Sequence, residues 1–201
     1  MRQLETLLAA IQMAQGITEK LRVTFMGPDA AQGFYHGLVE QLGLGPIVTF
    51  KPPLPYAEVP AAVSGYDVAL TYVPDFPPDW QYYPTLKVQE YRALGLPIIA
   101  SDFEPNRQFV QQGVNGFLVP NTVEAWAEAM TTFADDRDFL RGCQANARRS
   151  RQGRTWDEIA RVWERDIYNV LAVRGPSSSK TPHMVASKAG VSRWPEGKPH
   201  E

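Results

Sequence analysis

The side chains best suited to chemistry in this sequence cluster between Asp75 and Glu90. The stretch PDFPPDWQYYP, residues 74–84, joins four prolines and several aromatic side chains to two carboxylates, Asp75 and Asp79. Pro84 and Thr85 then open a helix, where proline fits because the N–H it lacks would have had no partner inside the helix. The first-turn amides of Leu86, Lys87 and Val88 are the donors left without intrahelical carbonyls, and a diphosphate placed there gains from N–H bonding and from the helix dipole. Glu90 follows one and a half turns into the helix, within reach of the two vicinal hydroxyls of a ribose. The plainer alternative is a solvated carboxylate paired with Lys87 three residues earlier. Trp80 could stack on a sugar or base, or simply fill the loop.

Signatures of other chemistries are missing. There is no G-x-G-x-x-G fingerprint, no G-x-x-x-x-G-K-[ST] phosphate loop and no G-x-S-x-G elbow, which disfavours a dehydrogenase, a P-loop enzyme and an α/β-hydrolase. His36, His183 and His200 have no cysteines or carboxylates at metal-ligand spacing, so no metal site is expected. The single cysteine, Cys143, excludes an intramolecular disulfide and reads as a small helix residue.

Placing these residues falls to an alternation of helices and strands. Leu4, Leu7, Leu8, Ile11 and Ala14 share one face of a helix ending near Gly16, and LRVTFMG (21–27) reads as a buried strand. A helix with Phe34, Leu38, Val39 and Leu42 on one face precedes the strand PIVTF (46–50). Then come a helix near Tyr56–Ser64, the strand YDVALTYV (66–73), a helix near Thr85–Leu94, the strand PIIAS (97–101), a helix near Asn106–Gln112 and the strand GFLV (116–119). Strands alternating with helices require crossover connections, which build a parallel sheet covered on both faces. The expected class is α/β, a doubly wound parallel sheet, with ligands held beyond the carboxyl ends of the strands. After Asn121 only helices are expected: Val123–Ala134, Asp136–Arg149 and Trp156–Val173, with Trp126 and Trp163 at core-like positions.

The segment PTLKVQEYRALGLPIIASD (84–102) resembles the K-x-x-E-Y-x-A-x-G-x-P run, closing on I-A-S-D, of family 4 and related GT-B glycosyltransferases. VNGFLVP (114–120) is similar to that family's N-G-x-L-V element, and a Trp-bearing C-terminal helix follows. The resemblance covers residues 1–173 and implies a Rossmann-like nucleotide-sugar-binding domain with C-terminal helices, one half of a GT-B fold. It implies glycosyl transfer from a nucleotide-diphosphate sugar, with retention of configuration and without a metal or other cofactor. By the same resemblance Glu90 matches the second glutamate of a Glu-x7-Glu pattern and holds the ribose. Leu86, Lys87 and Val88 match the helix start near the diphosphate and sugar. Phe50 and Lys51 match a Phe-x-Gly turn beside the base, with Lys51-Pro52-Pro53 replacing its glycine. Tyr82 stands where the family has its first glutamate, a sugar contact for which Asp75 or Asp79 could substitute. No catalytic residue is assigned. On this alignment the chain starts at the first helix of the C-terminal domain, without the preceding strand, its basic loop and the acceptor-binding N-terminal domain, so a separate N-terminal domain subunit is the expected partner.

A length of 201 residues with 44% hydrophobic content supports one ordinary domain. The formal net charge of -2 gives no global attraction to nucleic acid. No run approaches the roughly 20 apolar residues of a membrane-spanning helix, and the N-terminus lacks the features of a signal peptide, so a cytoplasmic location is expected. Arg148, Arg149, Arg151 and Arg154 read as a solvated helix end, with peripheral contact to an anionic membrane as the alternative. Residues 174–201, rich in Ser, Pro, Gly and Lys, are expected to form a disordered tail. Two alternatives stand beside the transferase: a noncatalytic nucleotide-sugar-binding or regulatory module of the same fold, and an unrelated flavodoxin- or receiver-like domain.

Overall fold

The computed structural model describes residues 4–75, 81–82, 85–151 and 156–173. Asp79, Trp80, Pro84 and the segment 174–201 lie outside them. The chain divides into two compact units, Met1–Gly153 and Arg154–Glu201.

The first unit alternates helix and strand in the expected order: α1 (Glu5–Gln15), β1 (Val23–Met26), α2 (Phe34–Gln41), β2 (Val48–Lys51), a 3-10 turn (Tyr56–Glu58) running into α3 (Val59–Val63), β3 (Ala69–Thr71), α4 (Leu86–Leu94), β4 (Ile98–Ser101), α5 (Glu104–Arg107), β5 (Gly116–Val119), α6 (Val123–Asp135) and α7 (Arg137–Arg149). All strand pairings are parallel, but the strands divide between two sheets. One holds β1 and β2, with Val23 opposite Val48; the other runs β3-β4-β5, with Ala69 opposite Ile98 and Ile98 opposite Gly116.

Both faces of the three-stranded sheet are covered. On one face Ile98 and Ala100 pack with Val88 of α4 and with Val110. On the other, Ile99 and Val119 join a larger core in which Leu7, Leu8 and Ile11 of α1 meet Trp126, Met130 and Phe133 of α6. Every residue of β4 is therefore buried, which is why Pro-Ile-Ile-Ala-Ser reads as a continuous apolar run rather than an alternating one. Full burial of each aliphatic side chain contributes about 1.5–3 kcal/mol relative to exposure. Trp126 is fully buried, as its helical spacing indicated, and its ring meets that of Tyr72 edge-on at 5.5 Å between centroids.

Local chemistry explains where the elements stop. Thr122 caps α6 by accepting from the Ala125 amide at 3.2 Å, and Asp136 caps α7 by accepting from Phe139 at 2.8 Å. At the C-terminus of α4, Gly95 sits at φ 71°, a left-handed conformation that glycine adopts without penalty. The helix expected near Asn106–Gln112 is instead the short α5, Glu104–Arg107. Its continuation fails because the Asn115 side chain, at 2.7 Å, takes the Gln111 amide that a longer helix would have used. Gly116 allows β5 to lie so close to β4 that a Cβ there would fall on the Ile98 backbone.

The second unit contains α8, Trp156–Val173. Trp163, expected in a core, is 69% exposed. Among the described residues of its own unit, α8 has no second element to cover that side.

Candidate functional site

A cavity of about 1210 Å³ opens in the first unit, and residues following three different strands reach it. Gly27, Pro28, Asp29, Ala30 and Ala31 come from the loop after β1. Phe50 and Lys51 at the end of β2 line it together with Pro52 and Pro53. Lys87, in the first turn of α4, reaches it from the connection after β3. An open parallel sheet gathers ligands at the carboxyl ends of its strands because the loops there point one way, and these residues stand at that end.

The loop after β1 is held by its own aspartate. The Asp29 carboxylate accepts from the amides of Ala31, at 3.2 Å, and Gly33, at 2.7 Å. Gln32 takes φ 50° and Gly33 φ 85°, so the chain turns sharply into α2. An Asp followed at short range by a Gly is the sequence signal for such a turn, and it went unread in the sequence. At the end of β2, Phe50 stacks on Phe25 with centroids 5.5 Å apart, and the His36 ring lies 4.2 Å from that of Phe50. The Lys51 ammonium lies over the Tyr66 ring, 5.8 Å from its centroid. The Thr24 hydroxyl first, and Lys51 second, hold the Tyr66 phenol below its usual range against the effect of burial.

Of the donor-site residues expected from the sequence, Phe50, Lys51 and Lys87 line this cavity, as does His36, whereas Tyr82, Leu86, Val88 and Glu90 do not. Glu90 is half-buried on α4, three residues beyond Lys87. Leu86 and Tyr82 are 75% and 76% exposed. Val88 is fully buried in the core, and its amide donates to the Thr85 carbonyl at 3.2 Å. Of the expected trio of first-turn donors, the Val88 amide is therefore already engaged.

A buried polar network that the motifs did not suggest ties three strand ends together. The fully buried Ser101 hydroxyl, at the end of β4, accepts from the Val73 amide at 2.9 Å and lies 2.7 Å from the Asn121 side-chain oxygen. The Asn121 amide group donates to the Val73 carbonyl at 2.7 Å and to the Asp75 carboxylate at 2.8 Å. Asn106 adds a bond to the Ser101 carbonyl at 2.8 Å. Asp75, a candidate sugar contact, is thus held at the start of the long loop by Asn121. Directly after β4, Arg107 binds Asp102 at 2.7 Å.

The family model for glycosyl transferases group 1 matches residues 1–150. A D-inositol 3-phosphate glycosyltransferase from Corynebacterium glutamicum (strain R) is 32% identical over 111 residues, 55% of this chain and 25% of the relative. Another, from Nocardia farcinica, is 30% identical over 146 residues, 70% of this chain and 31% of the relative. The chain thus spans about a quarter to a third of the curated relatives it matches. Among solved structures, sucrose-phosphate synthase from Thermosynechococcus elongatus superimposes with a TM-score of 0.65 at 26% identity, over 86% of this chain and 43% of that one. The pneumococcal O-GlcNAc transferase GtfA, solved with UDP and GlcNAc, matches with a TM-score of 0.65 at 19% identity, over 85% of this chain and 33% of that one.

Proposed function

This chain belongs to the group 1 glycosyl transferases, and on that footing we propose that it binds the nucleotide-diphosphate sugar donor for glycosyl transfer to an acceptor held by a second, N-terminal-type domain. The observation that carries the reading is the convergence of Lys87, Phe50, Lys51 and the loop Gly27–Ala31 on one cavity at the carboxyl ends of the strands. The diphosphate sits at the start of α4, where the helix dipole and the Lys87 ammonium both favour negative charge. Cleaving the bond from the anomeric carbon to the diphosphate leaves an extra charge on the leaving group, so the same contacts strengthen as transfer proceeds. Phe50 and Lys51 flank the base. Glu90 accepts the ribose hydroxyls, which requires its half-buried side chain to turn toward the cavity that Lys87 already lines. UDP is the first nucleotide to test, because a structural relative, the pneumococcal transferase, was solved with it. A cytoplasmic location goes with this reading; among the described residues no helix is long and apolar enough to cross a membrane.

A second reading, a nucleotide-sugar-binding module without catalysis, is favoured by one observation. Tyr82, which by the resemblance stands where the family has an acidic sugar contact, is 76% exposed.

A thermal-shift panel of UDP-, GDP- and ADP-glucose tests the proposal. A donor present at about 100 times its dissociation constant adds about 2.7 kcal/mol to stability. Lys87→Ala is expected to weaken the stabilising donor by roughly tenfold or more, since it removes a charge-assisted phosphate contact. Stabilisation by none of the three would end the proposal. Binding without transfer or donor hydrolysis, even with an N-terminal-type domain added, selects the noncatalytic reading.

A further inference from the structure

The wall of the cavity at the end of β2 is aromatic. Phe25 and Phe50 are register partners on neighbouring strands, and their rings stack with centroids 5.5 Å apart and planes 24° apart. His36, in the first turn of α2, brings its ring to 4.2 Å from that of Phe50. Phe50 therefore has two rings for neighbours, and of these three rings only His36 carries polar atoms. The His36 side chain is 53% exposed and lines the cavity.

Hydrogen-bond donors beside this wall must come from side chains. Pro52 and Pro53, which follow Lys51 along the lining, have no N–H, so the backbone offers no donor there over two successive residues. The Lys51 ammonium is drawn aside over the Tyr66 ring. His36 Nε2 lies 4.0 Å from an Asp29 carboxylate oxygen, too far for a hydrogen bond but near enough for the charge to favour the ring form with its proton on Nε2. Asp29 is itself fixed by the amides of Ala31 and Gly33, and a carboxylate with about four lone-pair sites keeps others free. An N–H donor and a carboxylate acceptor thus stand side by side on the cavity wall.

We propose that His36 selects the base of the donor nucleotide, its Nε2–H donating to one atom of the base edge while the Asp29 carboxylate accepts from the next. The assignment rests on the donor-site reading and names the side chain that chooses the base within it. The 4.0 Å spacing suits two adjacent edge atoms of one base, each engaged by one protein group. Uracil and guanine show a carbonyl oxygen beside an imino N–H. Cytosine and adenine show an amino group beside a bare ring nitrogen, which reverses the order of acceptor and donor. With the diphosphate seated at the start of α4, the base enters in one direction, so the pair accepts one order and rejects the other. Phe50 and Lys51 bound the base pocket, and Phe50 holds the His36 ring in place.

The test is isothermal titration of the full chain with UDP, CDP, GDP, ADP and inorganic pyrophosphate, repeated on His36→Phe, which keeps a ring against Phe50 and removes the donor. In the parent, the best-bound nucleotide is expected to exceed its partner of the same ring size, UDP against CDP or GDP against ADP, by roughly tenfold or more. His36→Phe is expected to erase that preference and to leave pyrophosphate binding, which involves no base, unchanged. In the parent, the His36 Cε1–H resonance, identified by its absence from the variant, is expected to move with the preferred nucleotide and not with pyrophosphate. A preference that survives in His36→Phe would overturn the proposal. So would the absence of any preference in the parent, or an equal loss of pyrophosphate binding in the variant, which would place the defect in the fold rather than at the base. Each of these outcomes leaves the donor-site reading standing; failure of pyrophosphate and all four nucleotides to bind ends both.

Discussion

Glu90 and Lys87 show how far one residue can be read in isolation. Their spacing on a helix was visible in the sequence, but only the structure separates Lys87, which lines the cavity, from the half-buried Glu90, which does not. Gly116 shows the reverse. In the sequence it is simply the first residue of the strand GFLV, and the structure shows why it must be glycine, since a Cβ there would meet the Ile98 backbone, which cannot step aside without breaking the β4–β5 ladder. Gly116→Ala should therefore cost about 1–3 kcal/mol, the range for forced overpacking. Urea denaturation measures it, and a loss no larger than that of Gly142→Ala, where a Cβ meets nothing, would refute the steric account.

At the scale of elements, α1 and α6 are joined by their apolar faces and by one polar clasp near their ends. The Thr18 hydroxyl donates to the Asp135 carboxylate at 2.8 Å, and the Lys20 ammonium lies 3.2 Å from the same oxygen. The Thr18 bond first, then Lys20, holds the Asp135 carboxyl below its ordinary range. A carboxylate with a depressed folded-state pKa adds stability that is present above its unfolded pKa and lost as pH falls through the lower folded value. Asp135→Asn should lower the Tm at neutral pH, and the gap to the parent should shrink as pH falls through and below the ordinary carboxylate range. A gap that stays constant with pH would mean that the clasp is not electrostatic. The element boundaries were largely legible because caps, apolar periodicity and terminating glycines are local signals. α5 was the exception: it stops where a side chain from Asn115, eight residues past its end at Arg107, takes a backbone donor, and no periodicity records that.

For the whole molecule, the proposed chemistry assigns neutralisation of the diphosphate to α4 and to Lys87 rather than to a divalent cation. Chelation with EDTA is therefore expected to leave donor binding unchanged in isothermal titration. A loss that magnesium restores would move that charge to a metal and displace the helix from its role.

The sequence by itself determined the class of fold and the family. Helical and strand periodicities and the Lys87-to-Asp102 motif are written in residues close to one another in the chain, and the family model confirms that reading over residues 1–150. Tertiary structure alone decided which motif residues share a cavity, how Ser101, Val73, Asn121 and Asp75 join across 20 to 48 positions, and that the strands form two sheets. Apolar patterning shows that a strand is buried, but not which edges find a partner, because backbone hydrogen bonding is nearly independent of side-chain type and depends on where distant segments come to lie.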